Sequence, residues 1–303
     1  MHGSGFSVLQ RFFSGSLFCF RIFGGLRAGG WPRSVQSSMK RHTLTSLVGA
    51  AVFAAVLVGC STVQDTGRKQ LLLTSPEQEA QMGIQSFDQI KKEEKISTDP
   101  AVNARIQRIG KRIAEAVGRE LPDAQWEYVV FDSPTVNAFA LPGGKVGVYT
   151  GLINLASSDD EIAIVMGHEV AHVTCRHGGE RMSQNTLVQL GAVALSLGTQ
   201  SSEYQALYAQ AYDTGSQLGV LLPYSRKHET EADTVGIRYA ASAGYDPRAA
   251  VTFWQKMAAQ SQGAEPSKLF STHPPTAERI ANLQTLAGPL VPTYEAAKTK
   301  YAQ

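Results

Sequence analysis

The chain contains two histidines four residues apart with a glutamate between them, in the sequence His168-Glu169-Val170-Ala171-His172. On an α-helix, residues four apart lie one turn above each other on the same face, so both imidazoles can reach one zinc ion. The glutamate lies one step further round, close enough to act on a water of the metal without being a ligand. We therefore predict His168 and His172 as zinc ligands and Glu169 as the general base. The alternative is a buried helix whose histidines are satisfied by the core.

A catalytic zinc needs a third protein ligand and an open fourth position. Residues 225–233 open a second apolar-periodic segment, in which Glu229 and Asp233 are four apart and share one face, whereas Glu231 points elsewhere. This spacing favours Glu229 as the third ligand. It favours Asp233 as the carboxylate that accepts a hydrogen bond from a ligand histidine and fixes its tautomer. The alternative is an ordinary charged helix start, because acidic residues favour the first turn of a helix.

Four motifs occur in the order and spacing found in the gluzincin metallopeptidases, the family of the HtpX heat-shock proteases and the CAAX prenyl proteases. They lie at residues 137–144, 168–172, 225–233 and 271–279. The chain resembles this family over about residues 75–285. The resemblance implies a zincin-like metallopeptidase domain, one Zn²⁺ per chain and cleavage of peptide bonds.

The resemblance also assigns a substrate-binding strand, which begins at Asn137-Ala138-Phe139. In similar enzymes this edge strand pairs with an extended substrate, and the side chain at the position of Asn137 also holds peptide backbone. Recognition of main chain predicts broad specificity. The alternative is a plain hairpin, which the turn at 142–144 would explain equally well.

His273 belongs to the closing Ser-Thr-His-Pro-Pro motif. In similar enzymes this histidine lies near the metal, where it stabilises the oxyanion or occupies the open position in a resting state. We predict that His273 is catalytic, and a latent protease gated by His273 is the alternative. A third interpretation is a helix-initiating turn set by Pro274 and Pro275, in which His273 only fills space. Arg279 is predicted to pair with nearby carboxylates.

Three further polar side chains lie close to these motifs in the sequence. His177 follows His168 by nine residues, which on a continuous helix is the opposite face, so it is not predicted as a ligand. His228 points about 100° away from Glu229 on a helix. Both are predicted to be structural or exposed. Cys175 lies about 50° off the ligand face and is predicted to be a buried structural thiol.

The amino-terminal segment 39–59 has the pattern of a signal peptide, with Lys40 and Arg41 before an apolar run at 44–58. That run is shorter than the ~20 residues of a spanning helix. Leu-Val-Gly-Cys at its end resembles a bacterial lipobox, which predicts that Cys60 is lipidated and begins the mature chain. Ser61 is not the aspartate associated with inner-membrane retention, so the outer membrane is preferred. An ordinary signal peptide or a short anchor is the alternative.

Residues 1–38 contain no acidic residue and precede a second methionine that restarts a complete signal peptide. They are predicted to be an over-extended start or a basic leader. Residues 1–59 carry six Lys/Arg and no Asp/Glu, which leaves 22 against 26 in the remainder and a net charge of about −4. The basic balance of the whole chain therefore comes from the leader, and nucleic acid is not predicted as a partner.

The remaining sequence predicts an α+β fold, mainly α, with a small sheet whose edge strand faces the active-site cleft. We expect a flexible polar tether at 60–74, the metallopeptidase domain at 75–290 and a tail at 291–303. Residues 183–219 are expected to form helices beside the site, with a lid as one possible role. The predicted helices and strands are Ser75 to about Lys95, Pro100–Gly118, strand Trp126–Asp132, the hairpin 137–149, Asp159–Arg176, and helices on either side of Gly244.

The predicted function is a zinc metalloendopeptidase anchored in the bacterial outer membrane, facing the periplasm and cleaving misfolded or unfolded envelope proteins. Its predicted partners are those substrates, the membrane through the lipid on Cys60, and an envelope assembly machinery. A zincin-fold chaperone or assembly factor is the alternative from another class, and a zinc amidase is a remoter one. The intact Glu169 favours the enzyme.

Overall fold

The computed structural model describes residues 60–200, 202–217, 221–260 and 268–302. The predicted leader and signal peptide lie outside the described residues. Among the described residues, helix dominates: two short strands precede two helices, and three further strands are followed by helices alone. The helices are α1 (Pro76–Glu93), α2 (Pro100–Val117), α3 (Thr150–Leu155), α4 (Asp159–Thr174), α5 (His177–Thr199), α6 (Gln205–Ser216), α7 (Leu222–Ser242), α8 (Ala249–Gln260), α9 (Lys268–Thr272) and α10 (Ala277–Tyr301).

A three-stranded sheet lies beside helix α4. Its strands are β3 (Glu127–Phe131), β4 (Ala138–Leu141) and β5 (Lys145–Tyr149), in the order β3-β5-β4. Strand β5 pairs with β3 in parallel and with β4 in antiparallel fashion, so β4 is an edge strand that packs against α4. The prediction of a mainly helical α+β fold with a small sheet is confirmed.

Helices α4 and α7 form the centre of the fold and cross at two glycines. A Cβ on Gly236 would lie 2.7 Å from the Cα of His168, and a Cβ on Gly167 would lie 2.7 Å from the carbonyl oxygen of Gly236. Any larger side chain at this crossing would force the helices apart, because atoms at that distance overlap. The close approach brings the acidic side chains of α7 to the histidines of α4.

Helix α4 ends earlier than predicted, at Thr174 rather than Arg176. Arg176 has φ +56°, a left-handed conformation that ends the helix and reverses the chain. Its guanidinium is anchored, since it donates to the carbonyl oxygen of Thr74 (2.7 Å) and to the Glu79 carboxylate (2.7 Å). His177 therefore begins a new helix, and a nine-residue count along one helix does not apply to it.

The segment 60–74 is folded, in contrast to the flexible tether that was predicted. Strands β1 (Cys60–Thr62) and β2 (Lys69–Leu71) form an antiparallel hairpin, here named the N-terminal hairpin. Val63 is buried, and Arg68 forms ion pairs with Glu180 at 2.7 Å and Glu231 at 2.8 Å. The sequence of this segment is polar, but its one arginine meets two buried carboxylates, which hold it in place.

The predicted break between the domain and a separate tail at 291–303 does not occur. Helix α10 runs from Ala277 to Tyr301 through Pro289 and Pro292. A proline inside a helix costs about 3 kcal/mol because it removes a hydrogen bond and crowds the preceding turn. The buried side chains of Leu283 and Tyr294 lie on either side of the prolines and hold the helix against the core.

The region 183–219 forms the second part of α5 and the whole of α6, which pack on each other. Tyr212 of α6 donates a hydrogen bond to the carbonyl oxygen of Val188 on α5 (3.1 Å). Among the described residues, no helix is both long and apolar enough to span a bilayer. The lid role of this region stays a prediction.

Candidate metal centre

The three predicted metal ligands converge at the crossing of α4 and α7. The Nε2 atoms of His168 and His172 are 3.1 Å apart, and the two carboxylate oxygens of Glu229 lie 3.4 Å from one imidazole each. His168 and Glu229 are buried, whereas the side chain of His172 is 17 % exposed. The site is therefore held from inside the fold and reached from one side.

Asp233 supports the first of these histidines. Its Oδ1 lies 3.0 Å from Nδ1 of His168, at an angle that falls short of a good hydrogen bond. Arg279 donates to both oxygens of Asp233 (2.8 and 2.7 Å), and its guanidinium lies 4.3 Å from the centre of the Trp254 ring. A carboxylate beside Nδ1 favours the tautomer that carries the proton there, which leaves the Nε2 lone pair for a metal. Arg279 lies where it was expected, among carboxylates.

His177 contacts His172 directly, whereas the sequence predicted that His177 lies on the opposite face of the helix. Its Nδ1 lies 2.8 Å from Nδ1 of His172, and its Nε2 lies 2.9 Å from Oε2 of Glu231. His177 is only 1 % exposed, and His228 stacks on it with ring centres 4.2 Å apart. The prediction placed His177 on the far face because it assumed that α4 continues past Arg176.

Glu231 and His228 are both buried. Glu231 points away from the face of Glu229 and Asp233, as expected, and it is bonded to His177 and Arg68. His228 is buried and lies 2.9 Å from the Glu180 carboxylate. Neither contact has a signal in the sequence. Cys175 is buried, as expected of a structural thiol, and burial raises its pKa to about 12.

The donor set fits a divalent cation. The Nε2 atoms of the two histidines face the Glu229 carboxylate, so three potential ligand atoms meet within 3.4 Å. Burial lowers the pKa of His168, but Asp233 and Glu229 outweigh it and raise that pKa to about 9. An imidazole that retains its proton so strongly lies in an excess of negative charge. Two histidines and one carboxylate are the ligands found in catalytic zinc sites.

Glu169 lies beside these ligands without joining them. Its side chain is buried, and its Oε1 accepts no hydrogen bond from the described residues. Burial raises the pKa of Glu169. A buried carboxylate oxygen that accepts no hydrogen bond is costly unless it binds a ligand or a reactant. The atom is positioned to take a proton from a molecule at the site.

His273 lies within the same cluster. It follows α9 in the turn before α10, and its backbone N–H donates to the carbonyl oxygen of Leu269 (2.8 Å). Its Nδ1 lies 2.9 Å from Glu229 and 3.2 Å from Nε2 of His168, and its Nε2 lies 3.4 Å from Glu169. Ligand atoms of His168, His172, Glu229 and His273 all lie within 4.8 Å of one another. The turn thus places a fourth nitrogen at the site.

The predicted substrate strand lies beside α4, on the edge of the sheet. Ala138 and Phe139 belong to β4, and Asn137 precedes it and accepts a backbone hydrogen bond from Tyr149 (3.0 Å). The Phe139 ring packs in an aromatic cluster, with its centre 6.0 Å from that of Phe131. The role of these three residues stays a prediction.

Comparison with known proteins matches the part of the chain that contains the candidate metal centre. The model of Peptidase family M48 matches residues 100–287. The mitochondrial metalloendopeptidase OMA1 of Schizosaccharomyces pombe is 38% identical over 184 residues, which cover 59% of this chain and 51% of that protein. OMA1 of Arabidopsis thaliana is 41% identical over 161 residues, 53% of this chain and 31% of its own length. The beta-barrel assembly-enhancing protease of Escherichia coli K12 is 26% identical over 270 residues, which cover 84% of this chain and 54% of that protein.

The chain spans about half the length, or less, of these curated relatives. The matched segment nevertheless contains every residue of the metal centre and covers more than half of this chain. The chain belongs to Peptidase family M48.

Proposed function

We propose that this protein is a zinc metalloendopeptidase. The observation that carries the proposal is the buried Oε1 of Glu169, which accepts no hydrogen bond from the described residues, next to the converging ligand atoms of His168, His172 and Glu229. That arrangement places a metal-binding set beside a base whose Oε1 makes no hydrogen bond within the described residues. Membership of Peptidase family M48 supports the same activity.

The mechanism assigns one task to each residue. His168, His172 and Glu229 would hold Zn²⁺, which when bound lowers the pKa of a water to about 7 and polarises the scissile carbonyl. Glu169 takes the proton of the attacking water on its free oxygen and delivers it to the leaving amine. Burial raises the pKa of this carboxyl, which makes it a stronger base once it is ionised. Strand β4 offers its main chain to an extended substrate.

We further propose that the enzyme works in the bacterial envelope and cuts unfolded or misfolded proteins there. The lipobox-like segment before Cys60 supports attachment to the outer membrane from the periplasmic side, and Cys60 is exposed. Similarity to the Escherichia coli protease named for β-barrel assembly supports an envelope role, and similarity to mitochondrial enzymes is neutral on it. Main-chain recognition by β4 suits unfolded substrates, because extended backbone is what they expose.

Cleavage of unfolded casein by the full chain tests the activity. Wild type should cleave it with zinc present, and a chelator should stop the reaction. Glu169→Gln should retain zinc and lose about 10²–10⁴-fold in rate, the usual contribution of a general base. Glu161→Gln is the matched control, since Glu161 is a buried glutamate of the same helix that pairs with Lys256 (2.7 Å). Equal cleavage by wild type and Glu169→Gln would overturn the assignment.

His273 supports a second proposal, that the enzyme is latent until this histidine moves. With His273 among the ligand atoms, the set of four is closed, and a catalytic zinc site needs an open position. His273→Ala should then cleave casein faster than wild type. Slower cleavage by His273→Ala would favour the alternative that His273 stabilises the oxyanion. No cleavage by either protein would support the chaperone interpretation.

A further inference from the structure

We propose that His177 is a positioning residue that holds the metal ligand His172 in its binding tautomer, and that Glu231 and Arg68 hold His177 in turn. These three residues are named the His177 relay. The inference rests on the proposed function in one respect, that His172 is a metal ligand. It adds residues from the N-terminal hairpin and from the start of α5 to the machinery of the site.

The hydrogen-bond directions follow from the chemistry of the partners. Glu231 is an acceptor, so Nε2 of His177, 2.9 Å away, carries the proton that it donates. Nδ1 of a neutral His177 is then an acceptor. It lies 2.8 Å from Nδ1 of His172, which must therefore carry a proton and donate it. The consequence is that His172 presents the lone pair of Nε2 towards His168 and Glu229.

The far end of the relay is fixed by charge. Arg68 donates from Nε to Glu231 (2.8 Å) and from its terminal nitrogens to Glu180 (3.0 and 2.7 Å). Thr66 of the same hairpin also donates to Glu231. The arginine is pinned between two carboxylates that are 1% and 5% exposed, so the acceptor of His177 has one orientation.

The ring of His177 is restrained on its face as well. His228 stacks on it with an interplanar angle of 15°, and Nε2 of His228 lies 2.9 Å from Glu180. Stacking and in-plane hydrogen bonds together fix both the tilt and the rotation of the imidazole. The left-handed Arg176 is what turns the chain so that His177 lies next to His172 rather than on the far face of α4.

A second metal site is the competing use of the same atoms. Cys175, His177 and Glu231 offer ligand atoms that all lie within 4.8 Å of one another. A metal there would take a nitrogen of His177 from His172 or from Glu231, and the Arg68 guanidinium already compensates the carboxylate. Burial raises the pKa of Cys175 to about 12, which disfavours the thiolate that a metal prefers. These contacts favour the His177 relay over a second metal site. The number of zinc ions bound per chain distinguishes the two interpretations.

The test measures zinc affinity of the full chain without substrate, by competition with a chromophoric chelator. His177→Leu keeps an apolar side chain of similar size and removes the acceptor, so the zinc dissociation constant should rise about 10–100-fold, as it does when a ligand's supporting partner is lost. His177→Asn places an amide oxygen near the position of Nδ1 and should recover most of that loss. Circular dichroism and the melting temperature of the metal-free proteins report whether each variant folds.

Three results would overturn the proposal. The first is wild-type affinity in His177→Leu. The second is equal weakening in folded His177→Leu and His177→Asn, which would mean that packing and not the acceptor matters. The third is two zinc ions per wild-type chain, with one lost in Cys175→Ser. One zinc bound per wild-type chain, with no casein cleavage by wild type or by His273→Ala, would defeat the proposed function and leave the relay intact. A wild type that binds no zinc would defeat both.

Discussion

The two histidines of one helix face are supported by two different parts of the molecule. His168 faces Asp233 of α7, which Arg279 of α10 clamps with two hydrogen bonds. His172 faces His177 at the start of α5, and behind it lie Glu231 and the arginine of the N-terminal hairpin. One support is a charged pair in direct contact with the ligand. The other places a neutral imidazole between the ligand and the charges.

The residues that support the two ligand histidines come from segments before and after helix α4 in the chain. Arg279 lies 111 positions after His168, and Arg68 lies 104 positions before His172, so the ligand face of α4 is completed only when both segments have packed. A direct carboxylate contact fixes the tautomer and brings negative charge to the metal. A relay through an imidazole fixes the tautomer and keeps the charge further away.

The largest effect is expected on the carboxylate side. Asp233→Ala leaves Arg279, whose side chain is 7% exposed, without its bidentate partner. Breaking a buried pair in this way costs about 3–5 kcal/mol, because an uncompensated charge remains inside. Urea unfolding should show that loss in Asp233→Ala and less than about 0.5 kcal/mol in Asp123→Ala, since Asp123 is exposed. A loss below 1 kcal/mol would mean that Glu229, 3.1 Å from Arg279, compensates alone.

A smaller effect is expected at the far end of the His177 relay. Arg68→Gln removes the charge that Glu180 and Glu231 share, but each carboxylate retains a histidine partner. The loss should be about 1–3 kcal/mol in the free energy of unfolding, the usual range for hydrogen bonds to charged groups. Lys69→Gln is the matched control, because Lys69 is the next residue of the same hairpin and its ammonium donates to the exposed Thr62 hydroxyl. If both variants lose the same stability, the hairpin matters as a whole and Arg68 has no special part.

Acid should weaken the relay over a defined range of pH. Burial raises the pKa of Glu231, but hydrogen bonds from His177, Thr66 and Arg68 outweigh it and hold that pKa at about 2, below its ordinary value of 4.5. A carboxyl with a depressed pKa stabilises the fold fully above its unfolded-state value, and this contribution is lost as the pH falls towards the folded-state value. Glu231→Gln should therefore be less stable than wild type at pH 7, and the difference should shrink between pH 4.5 and 2.

Urea unfolding at several pH values measures this shrinking difference. Glu278→Gln is the control, since Glu278 is an exposed glutamate outside the relay. A constant difference between wild type and Glu231→Gln down to pH 2 would contradict the prediction.

The smallest effect is expected at Cys175, which forms part of neither support of the ligand histidines. Burial raises its pKa to about 12, so at pH 8 about one thiol in 10⁴ is ionised. Reaction with an aromatic disulfide reagent, followed by mass spectrometry of the peptide, should be slow in the native chain and fast in urea. Cys175→Ser should leave the zinc dissociation constant within about threefold of wild type, because the thiol is no part of the relay. Rapid native labelling would contradict the burial of this residue.

The sequence predicts the reactive face of the site because helical periodicity fixes which residues share a face. A four-residue spacing puts His168 with His172 and Glu229 with Asp233, and no tertiary contact is needed to derive it. The cap at Ser75 is equally local: its side chain accepts from Gln78 N–H, and the Gln78 side chain accepts from Ser75 N–H. Such inferences hold because the interacting groups lie within one turn.

Tertiary structure alone decided the rest, and the reasons are physical. The position of His177 depends on one left-handed non-glycine residue, Arg176, whose conformation is held by contacts with Thr74 and Glu79 nearly a hundred residues away. The N-terminal hairpin is ordered by two carboxylates from other helices, and α10 continues through two prolines because its buried face outweighs their cost. Residue types and spacing therefore determined which groups can do the chemistry. Long-range packing determined which groups hold them in place, because those partners meet only after the chain has folded.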